Sequence, residues 1–496
     1  MAKKVLQDLI ITTQIKGLLN KIYGLAPSDD SILKRAIEFY ELQPARETRQ
    51  RELESNIIEQ KAKLEVAQTS KVKNRQIALE HAQLELEEFK QEFSAERFDR
   101  HRHFLEIVHE IIGLTEGDSA EDTIRKSSLV LGTIQLLSPT EGSKIAEKNE
   151  QHKPLYKAVL CLRLLDDLLT QEQLNDEFIN QYLNDIPAER YQDFIEINPA
   201  AHKYFCEQVK VAVVSAALAQ DIGNFHPEAR EILCGKNGKE DPYRTLDIEQ
   251  RKALLQVSFR ETMKYVNEGI GTLNYIGNSK EDRDRFVKDE KAKLMFVKKL
   301  LKRGVNPQNS IGNLLKVPQI YASIVLSTKD SYNYKVIPKV FSVLNTNAER
   351  GACSQRVVDS FYKVVGMFPQ GYGVTYIPKA SDGNDMDTYE YAIVCSLYPE
   401  NPEEPICRPA TRGLTFISHG QNTVIETTSN LHFTQTAKRL ARVSKKRLLE
   451  ILEVISSNYE ERRELDVLPR CWLPNDYFSI KNHQKLWNRS VYEQER

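Results

Sequence analysis

The residues of this chain that could bind a metal meet at one turn. Asp221 ends an apolar helical run, and His226 follows five residues later. Carboxylate and imidazole groups bind divalent transition metals, so these two residues are weak candidates for one metal site across the turn, although a structural interpretation is favoured. The alternative is structural: Asp221 caps the turn, Gly223 provides a left-handed C-cap and His226 is an ordinary loop residue. His202 lies about five helical turns before Asp221, so those two cannot share an ion.

Other catalytic patterns have no counterpart in the sequence. It contains no nucleophile elbow, no phosphate-binding P-loop and no dinucleotide-binding glycine pattern after a strand. The seven cysteines never stand in a C-x-x-C spacing, which predicts buried apolar thiols rather than a zinc site or a disulfide framework. Of His101, His103 and His109, only the first and last approach one helix face, so a solvated helix end is predicted there.

The run from Ala216 to Asn224 reads Ala-Ala-Leu-Ala-Gln-Asp-Ile-Gly-Asn. It resembles the core of the HD superfamily of metal-dependent phosphohydrolases, whose helix ends in His-Asp, an aliphatic residue, Gly and often Lys. Gln220 stands where that family has His, and Asn224 stands where it often has Lys. Asp221 is the retained residue of the His-Asp pair.

A second string, from Val365 to Val374, reads Val-Gly-Met-Phe-Pro-Gln-Gly-Tyr-Gly-Val, and Tyr-Pro-Glu-Asn-Pro follows at 398–402. It resembles the small β appendix after the HD domain of HD-GYP phosphodiesterases, which hydrolyse cyclic di-GMP in bacteria. The two strings occur in the family's order and extend the resemblance over roughly residues 153–412. The Gly-Tyr-Gly at 371–373 is interpreted as a turn, because it lacks the Pro and the neighbouring histidines of the GYP signature.

The resemblance implies a metal centre built by the His-Asp pair, a lone His, a His-His pair and a final Asp. This chain has no histidine between Pro227 and Ser418, so the later histidines are missing. Asp330 is a candidate for the final carboxylate, without a confident match. We therefore expect no metal or other cofactor, with Asp221 and His226 as the weak metal candidates. Manganese or iron is expected only if a reduced site remains active.

Composition sets the class of protein. With 41% hydrophobic and 28% charged residues, the chain can form a sizeable core, and two to four structural units are expected in 496 residues. The formal net charge of −1 excludes a global attraction to nucleic acid or anionic lipid. No apolar stretch reaches the length of a membrane span, and the start of the chain is unlike a signal peptide, so a cytoplasmic location is expected.

Pattern along the chain predicts a mainly α fold: an HD-like helical domain with a small antiparallel β appendix, preceded by a long helical coiled-coil segment. Residues 45–112 contain no Gly or Pro, which predicts either one continuous helix that oligomerises or an antiparallel hairpin turning near Ser70. The coiled coil, joining copies of the chain or a protein partner, is the favoured alternative. The predicted segments are a helical segment (1–44), the long helix or coiled coil (45–112), connecting helices (113–152), the HD-like domain (153–365), the β appendix (366–428), and a basic helix with tail (429–496).

A basic amphipathic helix is predicted over residues 435–459. Its cationic side chains could bind nucleic acid, anionic lipid or nucleotide phosphates, or simply form the wet side of a packed helix. Glutamates that follow dilute the positive field, so nucleic acid binding is not expected. The cationic side chains are Lys438, Arg439, Arg442, Lys445, Lys446 and Arg447.

Together these patterns predict a catalytically degenerate HD-GYP-like protein of bacterial signalling, a pseudoenzyme or adaptor that binds cyclic di-GMP or a protein partner without hydrolysis. The enzyme alternative is a cyclic di-GMP phosphodiesterase with a reduced metal site at Asp221 and His226. The structural alternative is a coiled-coil scaffold. Whether the chain is an enzyme is left open, with the degenerate protein preferred.

Overall fold

The computed structural model describes residues 2–488 except 25, 27, 69, 70, 184, 309, 441, 456–467 and 482. The chain forms two compact units. The first unit combines residues 1–20, 109–218 and 299–496, and the second combines 21–108 and 219–298. The fold is mainly helical with a small antiparallel sheet, as the sequence predicts. Among the described residues, no helix has the length and apolar character needed to cross a membrane.

The helices of the first half of the chain include two long ones and several short ones. They are α1 (Ala2–Tyr23), α2 (Ile32–Glu65), α3 (Val72–Thr115), α4 (Ala120–Leu137), α5 (Ile145–Thr170), α6 (Glu177–Asn180), α7 (Phe194–Ile197), α8 (Pro199–Phe205), α9 (Val211–Ala219), α10 (Pro227–Cys234) and α11 (Ile248–Lys264). Two π-helical turns, Cys206–Lys210 and Tyr265–Ile270, interrupt this series.

The second half contains the remaining helices and all strands. The helices are α12 (Lys280–Val305), α13 (Asn313–Val325), α14 (Val340–Glu349), α15 (Gln355–Val365), α16 (Thr434–Leu440), α17 (Lys445–Ile455), α18 (Asn475–Ser479) and α19 (Gln484–Asn488). The strands are β1 (Gly373–Tyr376), β2 (Glu390–Val394), β3 (Ile406–Pro409), β4 (Thr411–Arg412), β5 (Thr415–Phe416) and β6 (Thr423–Val424).

In the second unit, α2 and α3 form an antiparallel hairpin. The helix breaks between Glu65 and Val72, and Arg35 donates to Asp99 at 2.7 Å while Arg46 pairs with Glu96. The prediction of one continuous helix over 45–112 is therefore wrong, and the hairpin alternative describes this segment. The predicted turn residue Ser70 lies outside the described residues. The apolar-poor stretch after Glu65 offers no buried face to continue the helix, so the chain folds back.

Pro44 does not begin a new segment, because α2 runs through it from Ile32. Ser31 caps that helix, accepting from the Lys34 amide at 3.1 Å. The predicted boundaries at 44/45, 112/113 and 152/153 all fall inside helices, α2, α3 and α5 respectively. The boundary at 365/366 coincides with the end of α15. Helix periodicity does not show where these segments end. The chain passes from one unit to the other and back without a change in composition.

The first unit is organised around α5, which packs against α4, α13 and α15. Its apolar side chains from Leu155 to Leu169 are almost entirely buried. Burial on all sides explains why this helix is apolar around its circumference rather than amphipathic. Among these apolar residues stand three charged ones, Lys157, Arg163 and Asp167, that are also buried.

The sheet has strand order β1-β2-β3-β6 and is antiparallel throughout. Strand β3 was not predicted, because the sequence pattern places a Pro-rich turn over 399–405 and the next strand only at 413–418. The pairing of Val394 with Cys407 shows why β3 forms, because its residues 407 and 408 are buried against β2. β4 and β5 form a separate two-stranded ribbon.

The C-terminal segment joins the core of the first unit. Trp472 stacks on Tyr391 with ring centroids 4.6 Å apart, and the Trp487 indole N–H donates to Thr133 at 2.9 Å. The basic helix predicted over 435–459 is two helices, α16 and α17, and residues 456–459 lie outside the described residues. In α17, Leu448 and Ile451 are buried among the residues of this core. The cationic residues predicted there are exposed, as expected for a packed helix with one solvent-exposed face.

Substituting Gly132 tests this packing of the C-terminal segment. A Cβ at Gly132 would lie 2.1 Å from Trp487 Cζ2, whereas a Cβ at Gly113, also helical, has no neighbour within 4 Å. We expect Gly132→Ala to lower the free energy of unfolding by roughly 1–3 kcal/mol through overpacking. Gly113→Ala should raise it by about 0.5–1 kcal/mol through helix propensity. Urea denaturation measures both, and equal effects of the two variants would contradict this packing.

Candidate ligand-binding site

Asp221 lies half-buried in the second unit, before a 3₁₀ turn from Ile222 to Phe225. Its side chain makes no capping hydrogen bond to that turn, so the predicted capping role is wrong. Gln220, in the position of the family histidine, is also half-buried, and its Oε1 has no hydrogen-bond partner.

Gly223 is required for close packing and not for a left-handed C-cap. It is absent from the described glycines with positive φ. A Cβ there would lie 2.0 Å from the carbonyl oxygen of Ser258 in α11. The Gly223 amide also donates to Thr262 at 3.0 Å. The glycine of the Asp-Ile-Gly string therefore lets this turn contact α11 directly.

His226 approaches two glutamates. Within the described residues, His226, Glu228 and Glu261 are the group whose ligand atoms could surround one cation, and Asp221 is not a member. The partners of His226 in this group are thus glutamates, and the group does not include the other weak candidate, Asp221. Arg260 pairs with both glutamates, reaching Glu261 at 2.6 Å. This guanidinium already balances the carboxylates that a metal would need.

The hydrogen bonding of His226 also disfavours a metal. Its Nδ1 accepts from the Glu228 amide at 3.2 Å, so the neutral ring carries its proton on Nε2. That nitrogen lies 3.7 Å from Glu261 and is the atom that faces the group. A metal at Nε2 would have to displace this proton while Nδ1 stays an acceptor. The donor set of this cluster therefore does not fit a resident cation.

The other predicted candidates are dispersed. Asp330 is exposed in the loop after α13. His101 is buried, contrary to the predicted solvated helix end, and burial lowers its pKa to about 4. His103 is half-buried, 3.9 Å from Asp30, and the exposed His109 lies 3.0 Å from Glu207. Each imidazole has its own neighbour, so the three do not form a ligand set.

A cavity of about 240 Å³ lies within the first unit. Its wall comes from the start of α4, the second half of α5, the segment before α7, helix α8 and the π-turn after it. His202, predicted as a weak candidate, lies on this wall. The wall residues are Glu116, Gly117, Ser119, Ala120, Thr123, Ile124, Arg163, Asp166, Asp167, Thr170, Tyr191, Gln192, Ile195, His202, Lys210 and Tyr398.

Four charged side chains in this wall form a closed square. Lys210 Nζ lies 2.6 Å from Glu116 and 3.0 Å from Asp166. Arg163 lies 3.0 Å from Asp166 and also pairs with Glu116. Each cation contacts both anions, so the square is electroneutral. Lys210 reaches it from the π-turn, an irregularity that is frequent at functional sites.

The square holds its members in their charged forms. Burial raises the pKa of Asp166, but Lys210 and Arg163 outweigh burial and keep that pKa below its usual value. Burial lowers the pKa of Lys210, but Asp166 and Glu116 raise it above its usual value. The Tyr191 hydroxyl donates to Asp166 at 2.7 Å, which fills another acceptor position of that carboxylate.

Cys206, next to the wall residue His202, is not an activated nucleophile. Cys206 lies beside His202, with sulfur–nitrogen distances of 3.8 and 3.9 Å, but burial raises the pKa of the thiol to about 12. A thiol in this state is inert near neutral pH. The arrangement of Cys206 and His202 is therefore that of a packed contact and not of a catalytic pair.

Two atoms of the wall residues have no hydrogen-bond partner. They are Arg163 Nε, a donor, and Asp167 Oδ2, an acceptor. Arg163 is 1% exposed and Asp167 is 8% exposed. Burial raises the pKa of Asp167 to about 6, although Ser360 and Lys363 partly offset this effect. Buried polar groups without partners are costly, and these two atoms are among 22 of this kind in the described residues.

Sequence reasoning missed this site except for His202. The available signal was the presence of Arg163, Asp166 and Asp167 in the mostly apolar second half of α5, and of Lys210 just before the apolar run of α9. Charged residues in such positions are rarely buried unless paired. Glu116 carries no comparable signal, because it lies in a polar loop and its partners are distant in sequence.

Comparison of the chain with protein-family models, with curated proteins and with solved structures finds no match.

The substitution Asp167→Asn tests the buried carboxylate. In the folded state the pKa of Asp167 is about 6, above the ordinary 3.8. Between about pH 4 and pH 6, the folded protein therefore keeps a proton on Asp167 that the unfolded chain has already released. Wild-type stability from this group is lost as the pH rises through 6. We expect Asp167→Asn to raise the free energy of unfolding by about 1 kcal/mol at pH 8 and by less at pH 5.

Urea denaturation at the two pH values measures the difference. Asp359→Asn is the matched control, because Asp359 is an exposed carboxylate on α15 and its removal should change little at either pH. An equal gain for Asp167→Asn at pH 5 and pH 8 would contradict the raised pKa.

Proposed function

We propose that this chain is a non-hydrolytic binding protein, a degenerate HD-GYP-like pseudoenzyme of bacterial signalling that recognises a small ligand in the first-unit cavity. The observation that carries the proposal is the cavity of about 240 Å³ in whose wall Glu116, Arg163, Asp166 and Lys210 neutralise one another. Such a wall suits recognition of a ligand, because these four charged groups hold one another in place.

The HD-GYP resemblance supports the absence of turnover. A phosphodiesterase of this type needs several imidazole and carboxylate ligands to hold its metals and activate a water. In this chain Gln220 replaces the histidine of the pair, and Asp221 lies outside the His226 cluster. Cyclic di-GMP is the first ligand to test by family resemblance. At about 240 Å³ the cavity is smaller than pockets for drug-sized ligands, so it would take one base of a dinucleotide or a smaller molecule.

Equilibrium dialysis of the full chain tests this function. The chain is dialysed against a small-molecule extract of bacterial cells supplemented with cyclic di-GMP and Mn²⁺, and mass spectrometry reports retained compounds and linear products. We expect retention of at least one compound without hydrolysis of cyclic di-GMP. Ile195→Trp should abolish this retention, because Ile195 lines the cavity and the larger side chain would fill it.

Ile197→Trp, on the same short helix but 39% exposed and not part of the wall, is the matched control and should retain the compound. Retention that survives Ile195→Trp would place the ligand elsewhere and overturn the proposal. Hydrolysis that Asp221→Ala abolishes would establish the enzyme alternative.

The α2–α3 hairpin supports a second proposal, self-association through one face of α3. Ile77 and Leu84 are 55% and 56% exposed and stand seven residues apart, on the side of α3 away from the buried Ala82. The same face carries Lys73 and Glu88. If a second copy packs antiparallel on this face about the midpoint of Glu80 and His81, Lys73 meets Glu88 and Ile77 meets Leu84. This self-complementarity favours a second copy of the chain as the occupant.

Charge reversal tests the antiparallel pairing. Lys73→Glu should weaken the dimer about tenfold, because each of the two symmetric contacts becomes a like-charge pair, and Lys73→Glu with Glu88→Lys should restore it. Sedimentation equilibrium of the full chain measures the dissociation constant. Lys90→Glu, an exposed change of the same charge on the other side of α3, is the control. A monomeric wild type at tens of micromolar, or a double variant no tighter than Lys73→Glu, would contradict the pairing.

A further inference from the structure

The charge square of Glu116, Arg163, Asp166 and Lys210 offers an ion in the cavity no net compensation. Each cation of the square contacts both anions, and the four formal charges sum to zero. An ion that enters the cavity loses part of its hydration, and a neutral wall does not offset that cost. An ion that captured one member of the square would leave the former partner buried without a counter-charge. The square therefore favours an uncharged ligand.

The titratable groups next to the square do not change this balance. Asp167 has a pKa of about 6 and is ionised at about pH 8, and Lys363 on α15 lies close enough to act as its counter-charge. His202 also lines the cavity, and burial lowers its pKa, so its imidazole is neutral at the same pH. The charged groups of the wall together with Lys363 thus sum to zero, which attracts neither an anion nor a cation.

Three hydroxyl groups of the wall already donate to protein partners. The Tyr191 hydroxyl donates to Asp166 at 2.7 Å, and the Tyr398 hydroxyl donates to the Arg163 carbonyl at 3.4 Å. Thr170 Oγ1 donates to the Asp166 carbonyl at 2.9 Å. The two wall atoms without partners are covered by protein, so they offer a ligand no hydrogen bond. Few polar bonds are therefore open to a ligand in this cavity.

Most of the cavity surface is apolar. Ala120, Ile124 and Ile195 contribute aliphatic groups, and Tyr191 and Tyr398 contribute aromatic side chains. The hydrogen bonds of the two tyrosine hydroxyls hold these side chains in the wall, so an apolar ligand meets a preformed surface. Transfer of apolar ligand surface from water into such a pocket is favourable. The wall therefore binds the apolar body of a ligand more readily than its polar groups.

The size of the cavity limits the ligand further. An apolar cavity of about 150 Å³ in a protein core accommodates benzene. The cavity of about 240 Å³ in this protein is larger and would accommodate a bicyclic ring.

We propose that the cavity binds a small, uncharged, mainly apolar ring compound, up to the size of indole. This inference rests on the proposed ligand-binding function and specifies the chemistry of the ligand. Cyclic di-GMP could offer only a base to this cavity, because its phosphates are charged.

Three probes of one shape and different charge test this chemistry: nitrobenzene is uncharged, benzoate is an anion and benzamidine is a cation. Each probe is titrated into the full chain at about pH 8, and NMR measures the dissociation constant. We expect nitrobenzene to bind about tenfold more tightly than either ion. Indole, titrated in the same way, should bind as well. Ile195→Trp should abolish the binding of nitrobenzene by filling the cavity, and Ile197→Trp should leave it unchanged.

Gln192→Lys tests the role of the neutral wall through a gain of binding. Gln192 is exposed and lines the cavity, so a lysine there gives the wall a net positive charge. We expect benzoate to bind about fivefold more tightly to this variant, while nitrobenzene binds as before. Partial unfolding cannot produce such a gain. Gln181→Lys is the matched control, because Gln181 is also exposed but is not part of the wall, and it should change none of the affinities.

Nitrobenzene that binds no more tightly than benzoate or benzamidine, or that still binds to Ile195→Trp, would overturn the assignment. Absence of indole binding, or a benzoate affinity that Gln192→Lys leaves unchanged, would also overturn it. The dialysis experiment separates this failure from that of the proposed function. If the probes fail but dialysis retains a compound that Ile195→Trp releases, the cavity binds another chemical class. If dialysis retains nothing, the binding function itself fails.

Discussion

The pairing of Glu116 and Asp166 with Arg163 and Lys210 is the constraint on which the first unit depends. Four charges in a buried wall are tolerable because each has two partners of opposite sign. Their positions tie together the loop before α4, the second half of α5 and the π-turn after α8. Losing any one member would leave two partners half-compensated in a region with little access to water.

The same square limits how its charges can change. Opposite charges keep Asp166 and Lys210 in their ionised forms. Cys206 and His202 stand close enough to suggest a nucleophile and base, but burial raises the pKa of the thiol to about 12. This pair is therefore a packed contact beside the cavity.

The sequence predicted the coarse fold because helix and strand periodicity are local. The predicted boundary at 365/366 falls at the end of α15, and the predicted β appendix over 366–428 contains strands β1 to β6. Predictions failed where the deciding interaction is between distant residues. The hairpin, strand β3 and the role of Gly223 all depend on a partner remote in sequence: Asp99 for Arg35, β2 for β3, and Ser258 for Gly223. The cavity was missed for the same reason, since Glu116 and Lys210 are 94 residues apart. The relation to HD-GYP proteins stays a prediction.

Each unit combines segments that are distant in the sequence, and this order affects how the chain folds during synthesis. During synthesis from the N-terminus, α5 emerges long before α13 and α15, the helices that cover it. Its apolar surface is covered only after more than 150 further residues have been synthesised. The whole second unit is completed in that interval. The nascent first unit is thus exposed to aggregation for much of translation, and chaperone protection would matter most in that interval. For the same reason, neither a stop codon before α15 nor a single cut between units would release an independent folded half.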